Sequence, residues 1–128
     1  MEEKVKSFED LEAYKASRVY RMFIHSKIIP LFLAKNEYDL LNQIKRSARS
    51  ITANISEGYG RFHYMDNSKF CGIARGSLYE TLEHTITAHD EQLITDELLQ
   101  ESRTLFNNAI APLNGYINYL FRAADKSK

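Results

Sequence analysis

The sequence predicts an all-α protein, four helices packed as an up-down-up-down bundle, on three observations. Only two prolines and five glycines interrupt the 128 residues. Apolar residues recur at helical rather than alternating spacing over long segments. Clusters of turn and cap residues divide the chain into segments of about 20 residues or more, and short links between such segments favour antiparallel neighbours. At this length the chain is expected to form one domain, residues 1–128, burying roughly two-thirds of its unfolded surface.

The first helix is expected over residues 8–29. Ser7 caps it, and Glu9 and Asp10 suit its positive end. Phe8, Leu11, Val19, Met22 and Phe23 fall near one face, which Ala16 extends and Tyr20 and Ile24 widen. Pro30 should end or kink this helix close to Ile29, leaving residues 31–37 as a connector with Leu31, Phe32 and Leu33 folded back onto the bundle.

The second helix is expected over residues 38–59. Leu41, Ile44, Ala48, Ile51 and Ile55 follow a 3-4-3-4 spacing, a narrow seam suited to helix packing. Lys45, Arg46, Arg49 and Ala53 lie opposite. A third strip carries Ser47, Ser50, Asn54 and Gly58, all small, where another backbone can come close.

Residues 60–64 read as a turn, and Asp66, Asn67 or Ser68 can cap a third helix over residues 66–90. Phe70, Ala74, Ser77, Leu78, Thr81, Thr85 and Ala88 form its inward face. Its outward face joins Gly72, Gly76, Tyr79 and Ile86 with Glu83, and a surface of that composition suggests a second packing partner, another subunit. After a turn at residues 91–95, Thr95 or Asp96 caps a fourth helix over residues 96–123. Leu99, Ser102, Phe106, Ala109, Leu113, Tyr116 and Leu120 form its heptad, with Pro112 expected to bend it.

Charge is balanced in total and segregated in sequence. There are 17 basic and 17 acidic residues, yet residues 40–79 hold six basic residues against Glu57 and Asp66. Residues 80–101 hold seven acids and no Lys or Arg. The single cysteine, Cys71, excludes an internal disulfide, fits a reducing compartment and is expected to be buried. No uninterrupted apolar run reaches about 18 residues, and no signal peptide is visible, so a cytoplasmic location and no membrane partner are expected.

Ser7-Phe-Glu-Asp-Leu-Glu-Ala-Tyr14 resembles the opening of a bacterial four-helix-bundle family whose founding members are encoded by intervening sequences in 23S ribosomal RNA genes. Gln43-Ile-Lys-Arg-Ser-Ala-Arg-Ser-Ile51 and Asn54-Ile-Ser-Glu-Gly-Tyr-Gly-Arg61 resemble that family's central signature. Phe70 through Gly76-Ser-Leu-Tyr-Glu80, and Leu113-Asn-Gly-Tyr-Ile117, are similar to its third and fourth helices. The chain departs from the pattern at three places: the apolar connector of several residues after Pro30, Thr52, where a proline is common, and Pro112. The resemblance implies a left-handed bundle that assembles as a homopentameric ring. The family is also distantly similar to the accessory protein of diversity-generating retroelements, a basic pentamer that binds nucleic acid and reverse transcriptase. The resemblance supplies no activity.

The functional expectation is a non-enzymatic protein that binds structured RNA or DNA by phosphate contacts from Lys45, Arg46, Arg49 and Arg61, with Lys69 and Arg75 near in sequence. The alternative is a protein-binding assembly scaffold with no nucleic-acid contact, its basic face met by the acidic stretch of a neighbouring subunit. Oligomer or helix packing is assigned to Ser50, Asn54, Glu57, Gly58, Gly72, Gly76 and Tyr79. Within that set, Asn54 and Glu57 are expected to hydrogen-bond across helices or subunits, while Arg61 reaches outward. Arg18 and His25 superficially fit the Arg-x(4–6)-His spacing of metal-independent ribonucleases, but on the wrong helix, and the enzyme reading is set aside. His84 and His89 diverge around their helix, and with Glu80, Glu83 and Asp90 they read as solvated polar residues, so no metal or other cofactor is expected.

Overall fold

The computed structural model describes residues 5–127. A short 3-10 turn, Phe8–Asp10, opens them, capped by Ser7, whose hydroxyl accepts from the Glu9 N–H at 3.2 Å. Asp10 answers by accepting the backbone N–H groups of Lys6 and Ser7 at 2.8 and 3.2 Å. Then come α1 (Glu12–Phe23), a π-helical turn (Ile24–Ile28) and α2 (Ile29–Ala34), which together make one unbroken helical rod. The other three helices are α3 (Tyr38–Tyr59), α4 (Tyr64–Asp90) and α5 (Asp96–Lys126). The result is an all-α four-helix bundle, with no strand among the described residues.

The predicted break at Pro30 does not occur. The Ile29 N–H bonds back five residues to the Ile24 carbonyl, so the spiral widens before the proline arrives. Pro30 then falls at the start of α2, directly after the widened turn that accommodates it. The helix therefore runs on through residues expected to form a connector, and Phe32 is fully buried. Only residues 35–37 link α2 to α3, with Asn36 taking a positive φ of 58°.

The inward face of α1 differs from expectation in part. Leu11, Tyr20, Phe23 and Ile24 are buried as expected and Ala13 and Ser17 join them, but Val19 and Met22 are 51% and 49% exposed. Leu11 has an extended backbone and precedes the helix, so counting from Phe8 and Leu11 sets the wrong phase. Counting from Ala13 at 4-3-4 spacing gives the buried stripe.

In α3 the seam Leu41, Ile44, Ala48, Ile51 and Ile55 is buried, as the spacing predicts. The small strip beside it faces α4. Ser47 and Thr81 hydroxyls pair at 2.9 Å, and Ser77 donates to Ser50 at 2.8 Å. These partners rise in number along α3 and fall along α4, so the two helices run in opposite senses. Ala74, Ser77, Leu78, Thr81, Thr85 and Ala88 face inward from α4, with Phe70 half-buried. His63 precedes α4 with no side-chain cap bond, so none of Asp66, Asn67 or Ser68 caps it. Asn67 instead is buried and donates to the Tyr116 hydroxyl at 2.9 Å.

Thr95 caps α5, accepting the Leu98 N–H at 3.2 Å. Leu99, Ser102, Phe106, Ala109, Leu113 and Leu120 are buried, while Tyr116 is half-buried and Ile117 takes the inward place beside it. A chain of hydroxyls crosses the core: Tyr20 to Ser102 at 2.6 Å, and Ser102 to Thr85 at 2.9 Å. Cys71 is buried and free. No helix among the described residues is long and apolar enough to cross a membrane.

Candidate nucleic-acid interface

Helical geometry puts Lys45, Arg46 and Arg49 on the side of α3 away from its apolar seam, with Arg46 and Arg49 exposed and Lys45 half-buried. Among the described residues none of the three forms an ion pair, the pairs being Glu12–Lys15, Glu57–Arg61, Glu80–His84 and Asp96–His89. The face gains a cation that the sequence analysis did not assign. Arg21 of α1 crosses to α3 and donates from its guanidinium to the Thr52 hydroxyl at 2.7 Å, one turn beyond Arg49. A proline at residue 52 would offer Arg21 no acceptor. One turn along α1, the His25 Nδ1 lies 2.9 Å from the Arg21 carbonyl. A guanidinium at residue 21 has no motif of its own in the sequence, so only the packing of α1 on α3 could place it here.

Two of the other predicted cations, Arg61 and Arg75, are engaged elsewhere. Arg61 pairs with Glu57 at 3.3 Å and lies over the Phe70 ring, 4.8 Å from its centroid. It is not an unengaged outward group. Arg75 points to the other side of α4 and donates to Asn114 of α5 at 3.1 Å.

The predicted packing residues divide into two groups. Ser50 and Gly58 serve contacts within the chain. A Cβ placed on Gly58 would come within 2.7 Å of the Asn67 side-chain oxygen and 2.9 Å of the Phe70 Cβ, so α4 crosses α3 at this glycine. Asn54 does not reach another helix, since its amide donates to the Ser50 carbonyl and hydroxyl one turn back at 2.8 and 2.9 Å. Glu57 likewise stays on its own helix, paired with Arg61. Gly72 and Gly76 form the second group, with nothing within 4 Å of an added Cβ. Beside them Ile73 is 52% exposed and Tyr79 57%, although one edge of Tyr79 meets the Phe106 ring at 4.9 Å.

The histidines offer no metal site. His84 sits against Glu80 and His89 against Asp96, and no group of three or more metal-ligating side chains converges among the described residues.

A comparison with curated proteins gives no match to the chain. The family model described as 23S rRNA-intervening sequence protein matches residues 9–115, which takes in α1 to α4 and most of α5. That span covers every residue of the basic face and both glycine surfaces, and the chain belongs to the 23S rRNA-intervening sequence protein family.

Proposed function

We propose that this protein is a non-enzymatic, cytoplasmic bundle of up-down-up-down, left-handed topology that assembles as a homopentameric ring and binds structured RNA or DNA. The observation that carries the reading is the face of Lys45, Arg46 and Arg49, joined by Arg21, on which no described carboxylate neutralises a cation. Phosphates attract such a face without regard to sequence, so the binding is of low sequence specificity. The bare strip at Gly72 and Gly76, flanked by exposed Ile73 and Tyr79, supports self-association through α4. A ring would gather five copies of a modest patch on one surface.

A scaffold that binds only protein is the competing reading, favoured by that same apolar strip. Two measurements separate them. Light scattering at micromolar concentration should give a pentamer mass, and a clean monomer removes the basis for pooled patches. Gel retardation of a structured RNA should be seen at about 50 mM salt and fade steeply as salt rises. No retardation at the low salt leaves the scaffold reading.

A further inference from the structure

At the bundle end formed by the 60–63 turn, a cavity of about 470 Å³ opens among aromatic rings, within the size range of small-ligand sites. Tyr59, Phe62, Tyr64, Tyr116 and Tyr119 line it. Phe62 is 98% exposed and no described residue covers it, while Tyr116 and Tyr119 stack with centroids 6.1 Å apart. The cavity floor is polar at one place. Asn67, 6% exposed, donates one N–H to the Tyr116 hydroxyl, which leaves the Tyr116 O–H itself with no acceptor among the described residues. Burial raises this phenol to about 12, so it stays a donor. Cations stand beside the mouth: Arg122 and Lys126 line the adjoining groove, while Arg61, which lines the cavity, is already paired with Glu57.

Flat rings, one unspent donor and a cationic rim match one ligand chemistry. A nucleobase offers a π face for stacking and carbonyl or ring-nitrogen acceptors at its edge, and its phosphate is anionic. We infer that this cavity receives a single unpaired nucleobase, stacked against Phe62, with an edge acceptor on the Tyr116 hydroxyl and its phosphate turned out toward Arg122 and Lys126. The inference rests on the nucleic-acid reading above and deepens it. The basic face of α3 grips the duplex backbone, and the aromatic end takes a flipped-out or overhanging nucleotide.

The test compares a blunt RNA duplex with the same duplex bearing a short single-stranded overhang that carries 2-aminopurine. The overhang should tighten binding by about fivefold to a hundredfold, the range that one stacked base supplies, and the 2-aminopurine fluorescence should be quenched. Phe62→Ala should erase the gain and the quenching while leaving blunt-duplex binding unchanged. Being almost wholly exposed, Phe62 can be replaced without threatening the fold. Tyr116→Phe, which keeps the ring and removes the donor, should reduce the gain in part. Equal affinity for both duplexes with no quenching overturns the cavity inference and leaves the basic face standing. Should neither duplex bind, the basic-face reading fails, and adenosine 5′-monophosphate decides the cavity alone: shifted Tyr116 and Tyr119 ring resonances support it, unmoved ones overturn it. A fall in light-scattering mass for Phe62→Ala also overturns it, because the ring would then be covered by a second copy.

Discussion

Adding a methyl group at Gly58 would drive it into the Asn67 side chain, the Asn67 carbonyl and the Phe70 Cβ, all within 3 Å. Two of these three atoms are fixed by the α4 backbone, so the helices would have to part. Gly58→Ala should cost about 1–3 kcal/mol in a urea unfolding titration, the usual penalty for overpacking. Gly76→Ala should do the opposite. It sits mid-helix in open space, and losing glycine's backbone freedom should add about 0.5–1 kcal/mol, unless another subunit covers the strip. A loss of assembled mass in Gly76→Ala would therefore place the strip in the interface. Ser17 gives a third contrast. Its hydroxyl is buried with no hydrogen-bond partner among the described residues, so Ser17→Ala should be neutral or stabilising by up to about 1 kcal/mol. The row of small residues at 47, 50, 54 and 58 was legible as a place of close approach, because side-chain size shows in the letters. Which neighbour approaches was not. Nothing in the local pattern distinguishes α4 of the same chain from a second chain, and Asn54 and Glu57, expected to reach across, found partners one turn away on their own helix.

At the scale of elements, regular periodicity was the reliable signal and local breaks were the weak one. The α3 seam and the α4 and α5 inward faces follow from spacing alone, because an uninterrupted helix keeps its phase. The first helical rod was misread at both ends. A proline preceded by a π turn does not stop a helix, and apolar residues in the entry segment do not share the helix's phase. What ties the rod to the rest is the hydroxyl chain from Tyr20 through Ser102 to Thr85, which joins α1, α5 and α4. Ser102→Ala would take the Ser102 partner from the buried Tyr20 hydroxyl, while Thr85 keeps its bond to the Leu82 carbonyl at 2.8 Å, and should cost about 1–3 kcal/mol. Alkali should attack the same place. Burial raises the Tyr20 phenol from 10.0 to about 12, Tyr116 likewise to about 12, and the Cys71 thiol from 9.0 to about 11. Each of these acids holds its proton more tightly folded than unfolded. Their contribution is thus complete below about pH 9 and is lost as pH rises toward 12. Unfolding followed by circular dichroism should fall within that window, together with the late phenolate absorbance. Tyr20→Phe should be less stable at neutral pH and should lose part of the alkaline dependence.

For the whole molecule, zero net charge conceals a segregation that folding arranges in space. Residues 12–57, which cover α1, α2 and nearly all of α3, carry eight Lys or Arg against Glu12, Glu37, Asp39 and Glu57. The seven acids of residues 80–101 lie on the second half of α4, its following turn and the start of α5. The two regions meet at one end of the bundle, where Lys35 donates to the Gln92 carbonyl at 3.2 Å. In an assembly the basic face has two possible claimants, a polyanion or the acidic stretch of the next copy, and they respond differently to charge reversal. If phosphates claim it, Arg46→Glu with Arg49→Glu should weaken RNA binding strongly. It should also reduce the slope of log K against log salt by about two, since each neutralised phosphate contributes about 0.9. The light-scattering mass should not change, because the glycine strip on α4 lies apart from these arginines on α3. If the acidic stretch of a neighbour claims it, the same double reversal should lower the mass at low salt, and RNA should show no salt slope to lose. Mass and slope measured on one double variant therefore decide which claimant the basic face serves.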